Sequence, residues 1–232
     1  MKNKSKRYRQ LVESVDRDKV YTLEEAVSTI FSQPKAKFDE SVDLNFNLDV
    51  DLKKSDQMIR GSARLPHGTG KKVKVLVFCE VDKEKEARDG GADYVGSKDL
   101  IDKVNGGWLD FDYCIATPSM MREVSKLGRV LGPRGLMPSP KVGTVTDNIK
   151  TAVVDAKKGK IDFKMDKFGA VNAAIGKVSF DSEKIIDNAK EFIKALLAAK
   201  PQAVKGRYIK SATISTTMGV GLKLVLNEDV EK

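Results

Sequence analysis

VDLNFNLDV, residues 42 to 50, decides what kind of sheet this chain builds. Val42, Leu44, Phe46, Leu48 and Val50 alternate with Asp43, Asn45, Asn47 and Asp49, the period of a strand with one face in a core and the other in water. A second alternation, Ile59, Gly61, Ala63 and Leu65, leads into PHGTG, residues 66 to 70. Its turn-forming residues predict a hinge at Pro66, Gly68 and Gly70. Just upstream, Thr22 and Glu25 form a capping-box pattern that opens a helix through Leu23, Ala26, Val27, Ile30 and Phe31, ended by Pro34.

KVLVFC, residues 74 to 79, has a different texture, apolar without a break after its lysine. It is followed by a charged helical stretch and then by ADYVG and FDYCIATP. Short buried strands alternating with helices imply a parallel sheet covered on both faces. Ser97 and Ser119 stand where helix N-caps belong, and Asp147 is read as opening a last helix that ends at Gly159, the second half of the expected hinge.

From Lys160 the half-exposed alternation returns in IDFKM, a turn at DKFG, and AVNAAIGKVSF. Ile185, Ile186, Ala189, Phe192, Ile193, Leu196 and Leu197 trace the core face of a long helix closed by Pro201. In the strand that follows, Ser211, Thr213, Ser215 and Thr217 share one face as a row of hydroxyls, up to a hairpin tip at Met218 and Gly219. Val220, Leu222, Leu224 and Leu226 then alternate as the returning strand. The simplest architecture is a discontinuous α+β domain, residues 1 to 67 and 160 to 232, interrupted by an α/β domain at residues 68 to 159.

The composition of the 232 residues, 41% hydrophobic and 32% charged, is that of a folded globular protein. Forty-two Lys and Arg against 33 Asp and Glu give a formal charge of +9, which suits a phosphate-rich partner, with a generic basic surface as the alternative. Residues 1 to 10 hold five cations and no anion, and are expected to form an arm that frays in water or lies on a phosphate backbone. No apolar run reaches the roughly 20 residues of a membrane span, and MKNKSKRYRQ lacks a signal-peptide core, so a cytoplasmic protein is expected. Cys79 and Cys114 read as buried reduced thiols, and one histidine, His67, leaves no zinc-ligand set and no expected cofactor.

KLGRVLGPRGLMPSPKVGTVT, residues 126 to 146, carries four glycines, three prolines and four cations without a carboxylate. It is no P-loop, since Gly132 and Gly135 are followed by Leu136 rather than Lys-Ser/Thr. Nor does it fit a dinucleotide loop, because GPRG lies far from the strand at IATP. A hydrolase triad would have to use His67, and no G-x-S-x-G motif accompanies it. A Gly/Pro loop with Lys126, Arg129, Arg134 and Lys141 can instead bring backbone N–H groups and guanidinium forks to phosphates. The hydroxyl row offers a second surface, suited to the ribose 2′-OH groups that separate RNA from DNA.

The same residues resemble a known family. KLGRVLGPRGLMPSPKVGTV, together with AKFDESVDL at 36 to 44, SDQMIRGSARLPHGTGK at 55 to 71, GADYVG at 91 to 96, DKFGA at 166 to 170 and TTMG at 216 to 219, is similar to the L-one family of ribosomal proteins over nearly the whole chain. The resemblance implies a split β-α-β domain interrupted by a three-layer Rossmann-like α/β domain. It implies a non-enzymatic, cytoplasmic protein of the large ribosomal subunit that binds a stalk junction of large-subunit ribosomal RNA. It also implies assistance to deacylated transfer RNA leaving the exit site and repression of the protein's own operon messenger RNA. Carried over by motif, the main RNA surface falls on Lys37, Phe38 and Ser41, on Asp166, Lys167 and Gly169, and on Ser211, Thr217, Met218 and Gly219. The loop cations Lys126, Arg129, Arg134 and Lys141 become a secondary RNA contact. Ser139 stands where the family commonly has Asn between the two prolines. Two rivals are a nucleotide-dependent enzyme, for which no phosphate loop is present, and a DNA-binding protein, for which no recognition helix is evident.

Overall fold

The computed structural model describes residues 5–16, 19–51, 57–202, 204 and 206–225. In chain order the elements are α1 (Lys6–Glu13), β1 (Val20–Tyr21), α2 (Leu23–Ser32), β2 (Ser41–Leu48) and β3 (Arg60–Arg64). There follow β4 (Val75–Phe78), α3 (Glu84–Asp89), β5 (Tyr94–Gly96), α4 (Lys98–Asn105), β6 (Tyr113–Ala116), α5 (Met121–Val124), α6 (Gly128–Leu131) and α7 (Ile149–Lys157). The chain ends with β7 (Lys160–Lys164), β8 (Ala170–Lys177), α8 (Ser182–Ala198), β9 (Ile209–Thr216) and β10 (Leu222–Leu224).

These elements gather into two compact units, Met1–Gly70 with Ile161–Lys232, and Lys71–Lys160. The first crossing lies three residues later than the sequence reading placed it, and local bonding explains the difference. Asn188, fully buried on α8, accepts from His67 N at 3.1 Å and donates to Gly68 O at 2.9 Å, tying residues 67 and 68 into the first unit. Gly70, at φ +72°, has no room for a Cβ beside the Phe180 ring. At the other crossing, Lys160 Nζ donates to Val142 O at 2.8 Å within the second unit.

The first unit is built on a five-stranded sheet in the order β1-β10-β9-β2-β8, antiparallel except for β1 beside β10. Strand β2 shows why: Val42, Leu44, Phe46 and Leu48 are buried while Asp43, Asn45 and Asn47 are not. Val50, expected in this strand, falls beyond its end. The buried face packs on α2 and α8, where Phe192 meets Phe46 at 5.9 Å and Phe163 of β7 edge-on at 5.4 Å. Strands β3 and β7 form a separate pair over the same core. The capping box opens α2 with both reciprocal bonds, Thr22 N to Glu25 Oε2 and Glu25 N to Thr22 Oγ1, each 3.3 Å.

The expected N-terminal arm is a helix from Lys6 onward. Ser5 Oγ caps it by accepting from Tyr8 N at 3.3 Å, and Leu11 anchors it in the core. Residues 1 to 4 of that arm, and Leu226 of the last expected strand, lie outside the described residues.

The second unit holds a parallel sheet in the order β5-β4-β6. The continuous apolar run of β4 serves two cores at once: Leu76 and Phe78 pack with α4, α5 and α6, while Val75 and Val77 pack with α3 and α7. Period-two side-chain direction in a strand covered on both faces requires this. Cys114 and Cys79 fall into those opposite cores as free thiols, and burial pushes the Cys79 thiol up to about 11. Of three expected caps, one holds its position and two do not. Ser97 stands at the N-cap of α4 but makes no side-chain cap bond; Ser119 precedes the true N-cap, Met120, and its hydroxyl meets Thr117 Oγ1 at 3.1 Å. Asn148, not Asp147, precedes α7, and the Asp147 carboxylate pairs instead with Lys83 at 2.7 Å.

Candidate nucleic-acid interface

The ten residues expected to form the main RNA surface all lie in the first unit, at the two ends of β2. At its N-terminal end, Thr217 N donates to Ser41 O at 3.0 Å, and Thr217 Oγ1 accepts from Ser41 N at 3.0 Å and reaches Ser41 O at 3.4 Å. Glu40, next in the chain, accepts from Met218 N at 3.0 Å and from Ala36 N at 2.7 Å. These bonds bring Lys37, Phe38, Ser41, Thr217, Met218 and Gly219 into one cluster, with Phe38 54% and Met218 51% exposed. Gly219 has a reason internal to the fold: a Cβ there would run into Thr216 Oγ1. Its lack of a side chain is needed by the tip itself.

At the other end of β2, Leu48 N donates to Gly169 O at 2.9 Å, and Asn47 faces Ala170 on one side and Ser211 on the other. Asp166, Lys167, Gly169 and Ser211 therefore form a second cluster. Asp166 serves mainly to shape the turn, since its Oδ1 accepts from Phe168 N and Ala170 N, both at 2.8 Å. Gly169, at φ +82°, supplies the left-handed residue that closes it. The turn holds out Phe168, 82% exposed, a residue the sequence reading passed over between two motif positions. An aromatic placed after a lysine in a tight turn was the available signal, repeated in Lys37 and Phe38.

Between the clusters runs the open face of the sheet, about 20 Å long from Ser41 to Asn47 at strand rise. Register sets Ser215 opposite Asp43, Thr213 opposite Asn45 and Ser211 opposite Asn47. Asn172 lies opposite Asn45 on the other side, and Lys223 of β10 opposite Thr213. The hydroxyl row is thus one column of a polar sheet face whose amide column, Asn45, Asn47 and Asn172, the sequence reading assigned only to solvent. Partial burial on this face pushes the Asp43 carboxyl above its ordinary range.

The four loop cations, Lys126, Arg129, Arg134 and Lys141, are exposed in the second unit, with no ion-pair partner among the described residues. Their loop is fixed by bonds to the Ser139 main chain, from Ser139 N to Thr144 Oγ1 at 2.7 Å and from Thr144 N to Ser139 O at 3.3 Å. Position 139 is held through its main chain, so a serine side chain leaves the loop's path intact. His67 meets Asp187 at 3.2 Å on the surface, and no cluster of metal-ligating side chains occurs among the described residues.

A basic chain presenting a hydroxyl- and amide-rich sheet face, with exposed apolar side chains and lysines at both ends, belongs to the class of nucleic-acid-binding proteins. The model of the ribosomal protein L1p/L10e family matches residues 28–220. A protein of Protochlamydia amoebophila named large ribosomal subunit protein uL1 is 53% identical over 224 residues, covering 97% of this chain and 95% of its own. The proteins of that name from Persephonella marina and Streptococcus suis are 53% and 52% identical, covering 97% of this chain in each case and 94% and 98% of their own. The chain belongs to the ribosomal protein L1p/L10e family, and is accordingly a structural RNA-binding protein and not an enzyme.

Proposed function

We propose that this chain works in the cytoplasm as part of the large ribosomal subunit, where its first unit grips a helical junction of large-subunit ribosomal RNA at the stalk. The observation that carries the reading is the hydrogen-bonded union of residues 37 to 41 with the tip at residues 217 to 219, which sets cation, aromatic, hydroxyl and thioether groups on one surface. Lys37 and Lys167 attract phosphate at the two ends of β2. Ser211, Thr213 and Ser215 exchange hydrogen bonds with ribose 2′-OH groups between them. Phe38 and Phe168 offer faces on which unpaired bases stack. In this reading the first unit is a split β-α-β domain and the second an inserted Rossmann-like domain whose loop cations add a weaker contact.

Two finer roles go with this reading. In the ribosome, a stalk that moves would help deacylated transfer RNA leave the exit site. Its hinge would fall at the paired crossings in PHGTG and at Gly159, with Gly70 and Gly159 supplying backbone freedom, while His67 and Gly68, next to Pro66, are bonded to Asn188 of α8. Off the ribosome, the same surface would bind a mimic of the junction in the protein's own operon messenger RNA and repress its translation. The test is translation in vitro of a reporter behind that leader, with added protein and increasing junction ribosomal RNA. Repression relieved by the junction fragment supports a shared surface, and repression insensitive to it contradicts one.

A further inference from the structure

We propose that Arg7 and Glu40 are positioning residues that hold the tip at residues 217 to 219 in its RNA-binding shape, which makes helix α1 part of the RNA site. The proposal rests on the reading of that tip as an RNA contact. Met218 presents its side chain to solvent, yet both polar atoms of its backbone are engaged by the protein. Its N–H donates to Glu40 Oε2 at 3.0 Å, and its carbonyl accepts from Arg7 Nη2 at 2.9 Å. The same guanidinium donates from Nη1 to Pro34 O at 3.1 Å and lies 3.6 Å from Glu40 Oε1. One fork thus joins α1, the turn after α2 and the tip, segments up to 211 residues apart in the chain.

Glu40 is 3% exposed, and its charge is compensated by four groups, Arg7, Ala36 N, Met218 N and the Thr216 side chain. Removing Arg7 leaves a buried carboxylate short of a partner, a strongly unfavourable state unless the surrounding backbone shifts to admit water. The backbone nearest to hand is that of Met218. Lysine cannot replace the arginine, because a single ammonium cannot hold the planar fork that reaches Pro34, Met218 and Glu40 together. Each terminal nitrogen of Arg7 already donates inside the protein, which fits a role through the tip, and the salt dependence below separates that role from a phosphate contact by its remaining N–H groups.

The full chain and its Arg7→Ala, Arg7→Lys and Glu40→Gln variants test this, the last two guarding against a variant that fails to fold. Amide hydrogen exchange of Met218 is measured without RNA, and affinity for a stalk-junction ribosomal RNA fragment is measured across salt. The proposal expects faster Met218 exchange in all three variants and roughly tenfold weaker junction binding, with salt slope and transfer RNA binding as in the parent. Unchanged Met218 exchange overturns the clamp whatever the RNA result. Faster exchange with parental affinity also overturns it, since the tip's shape then does not govern binding. A salt slope reduced by about one, with transfer RNA binding weakened alike, makes Arg7 a phosphate contact instead. If the parent protein shows no preference for the junction fragment, the reading of the tip falls, and the proposal with it.

Discussion

The tip at residues 217 to 219 and the loop at residues 132 to 143 are both glycine-bearing turns, and they are specified in different ways. At the tip, side chains do the fixing: Thr217 closes on Ser41, and Glu40 and Arg7 engage Met218. In the loop most bonds are short-range, Gly135 N to Gly132 O at 3.1 Å, Gly143 N to Pro140 O at 3.0 Å and Ser139 N to the Thr144 hydroxyl at 2.7 Å, with Lys160 Nζ adding a bond to Val142 O, while Arg129 and Arg134 stand in solvent. A surface whose polar groups are placed by other side chains can discriminate between RNA shapes. One that offers solvated cations on a firm backbone mainly attracts phosphate. The first unit should therefore carry specificity and the second general affinity.

The largest effect that can break this contrast is at the tip. Thr217→Val and Met218→Asp are each expected to weaken specific junction binding by about 10- to 100-fold, the equivalent of one lost buried hydrogen bond or more. Arg134→Ala should change it by less than about threefold, as one solvated cation among several. Filter-binding titrations that give equal losses for all three would remove the division of labour. Next in size, Phe168→Ala should cost several-fold in junction affinity and Phe168→Tyr little, if a base stacks there. Equal losses in the two variants would point to a structural role for the ring. Replacing Lys126, Arg129, Arg134 and Lys141 together by alanine should lower the salt slope by at most about 4, leaving the junction-to-duplex preference in place.

Glu40 supplies a smaller, pH-linked test. Although burial opposes its ionisation, bonds from Met218, Ala36 and Thr216 together with Arg7 hold its pKa below the ordinary 4.5. A group depressed on folding contributes stability above its unfolded pKa and loses it as pH falls through the folded one. The thermal midpoint of Glu40→Gln should accordingly sit below the parent at pH 7 and converge with it as pH drops below 4.5. A gap that stays constant to pH 3 would mean that the charge is not what matters. The smallest effect concerns the second unit: Cys79 and Cys114, both buried, should resist a maleimide at pH 8 until denaturant is added. Rapid labelling of the native protein would show that this unit opens.

Much of this architecture could be read from local pattern. The alternation at residues 42 to 48, the capping box at Thr22 and the continuous run at residues 75 to 78 each report a single element through its own period or cap. What sequence could not supply were contacts that side chains make with distant parts of the chain. The Arg7 contact to the Met218 carbonyl spans 211 residues, and Asp147, expected to open a helix, pairs with Lys83, 64 residues away. Function and fold were also confounded at single residues. Asp166 and Gly219 read as RNA contacts by motif, yet each has a structural task in shaping its own turn. Phe168 was hidden for the opposite reason, because no core needs it and no period marks it.

The most direct measurement is a competition titration of the full chain, with a stalk-junction ribosomal RNA fragment against bulk transfer RNA and duplex DNA, across salt. The account predicts that transfer RNA and duplex binding collapse as salt rises while the junction fragment persists and wins by several orders of magnitude. Equal competition by all three polymers would contradict it, leaving a basic surface with no RNA specificity.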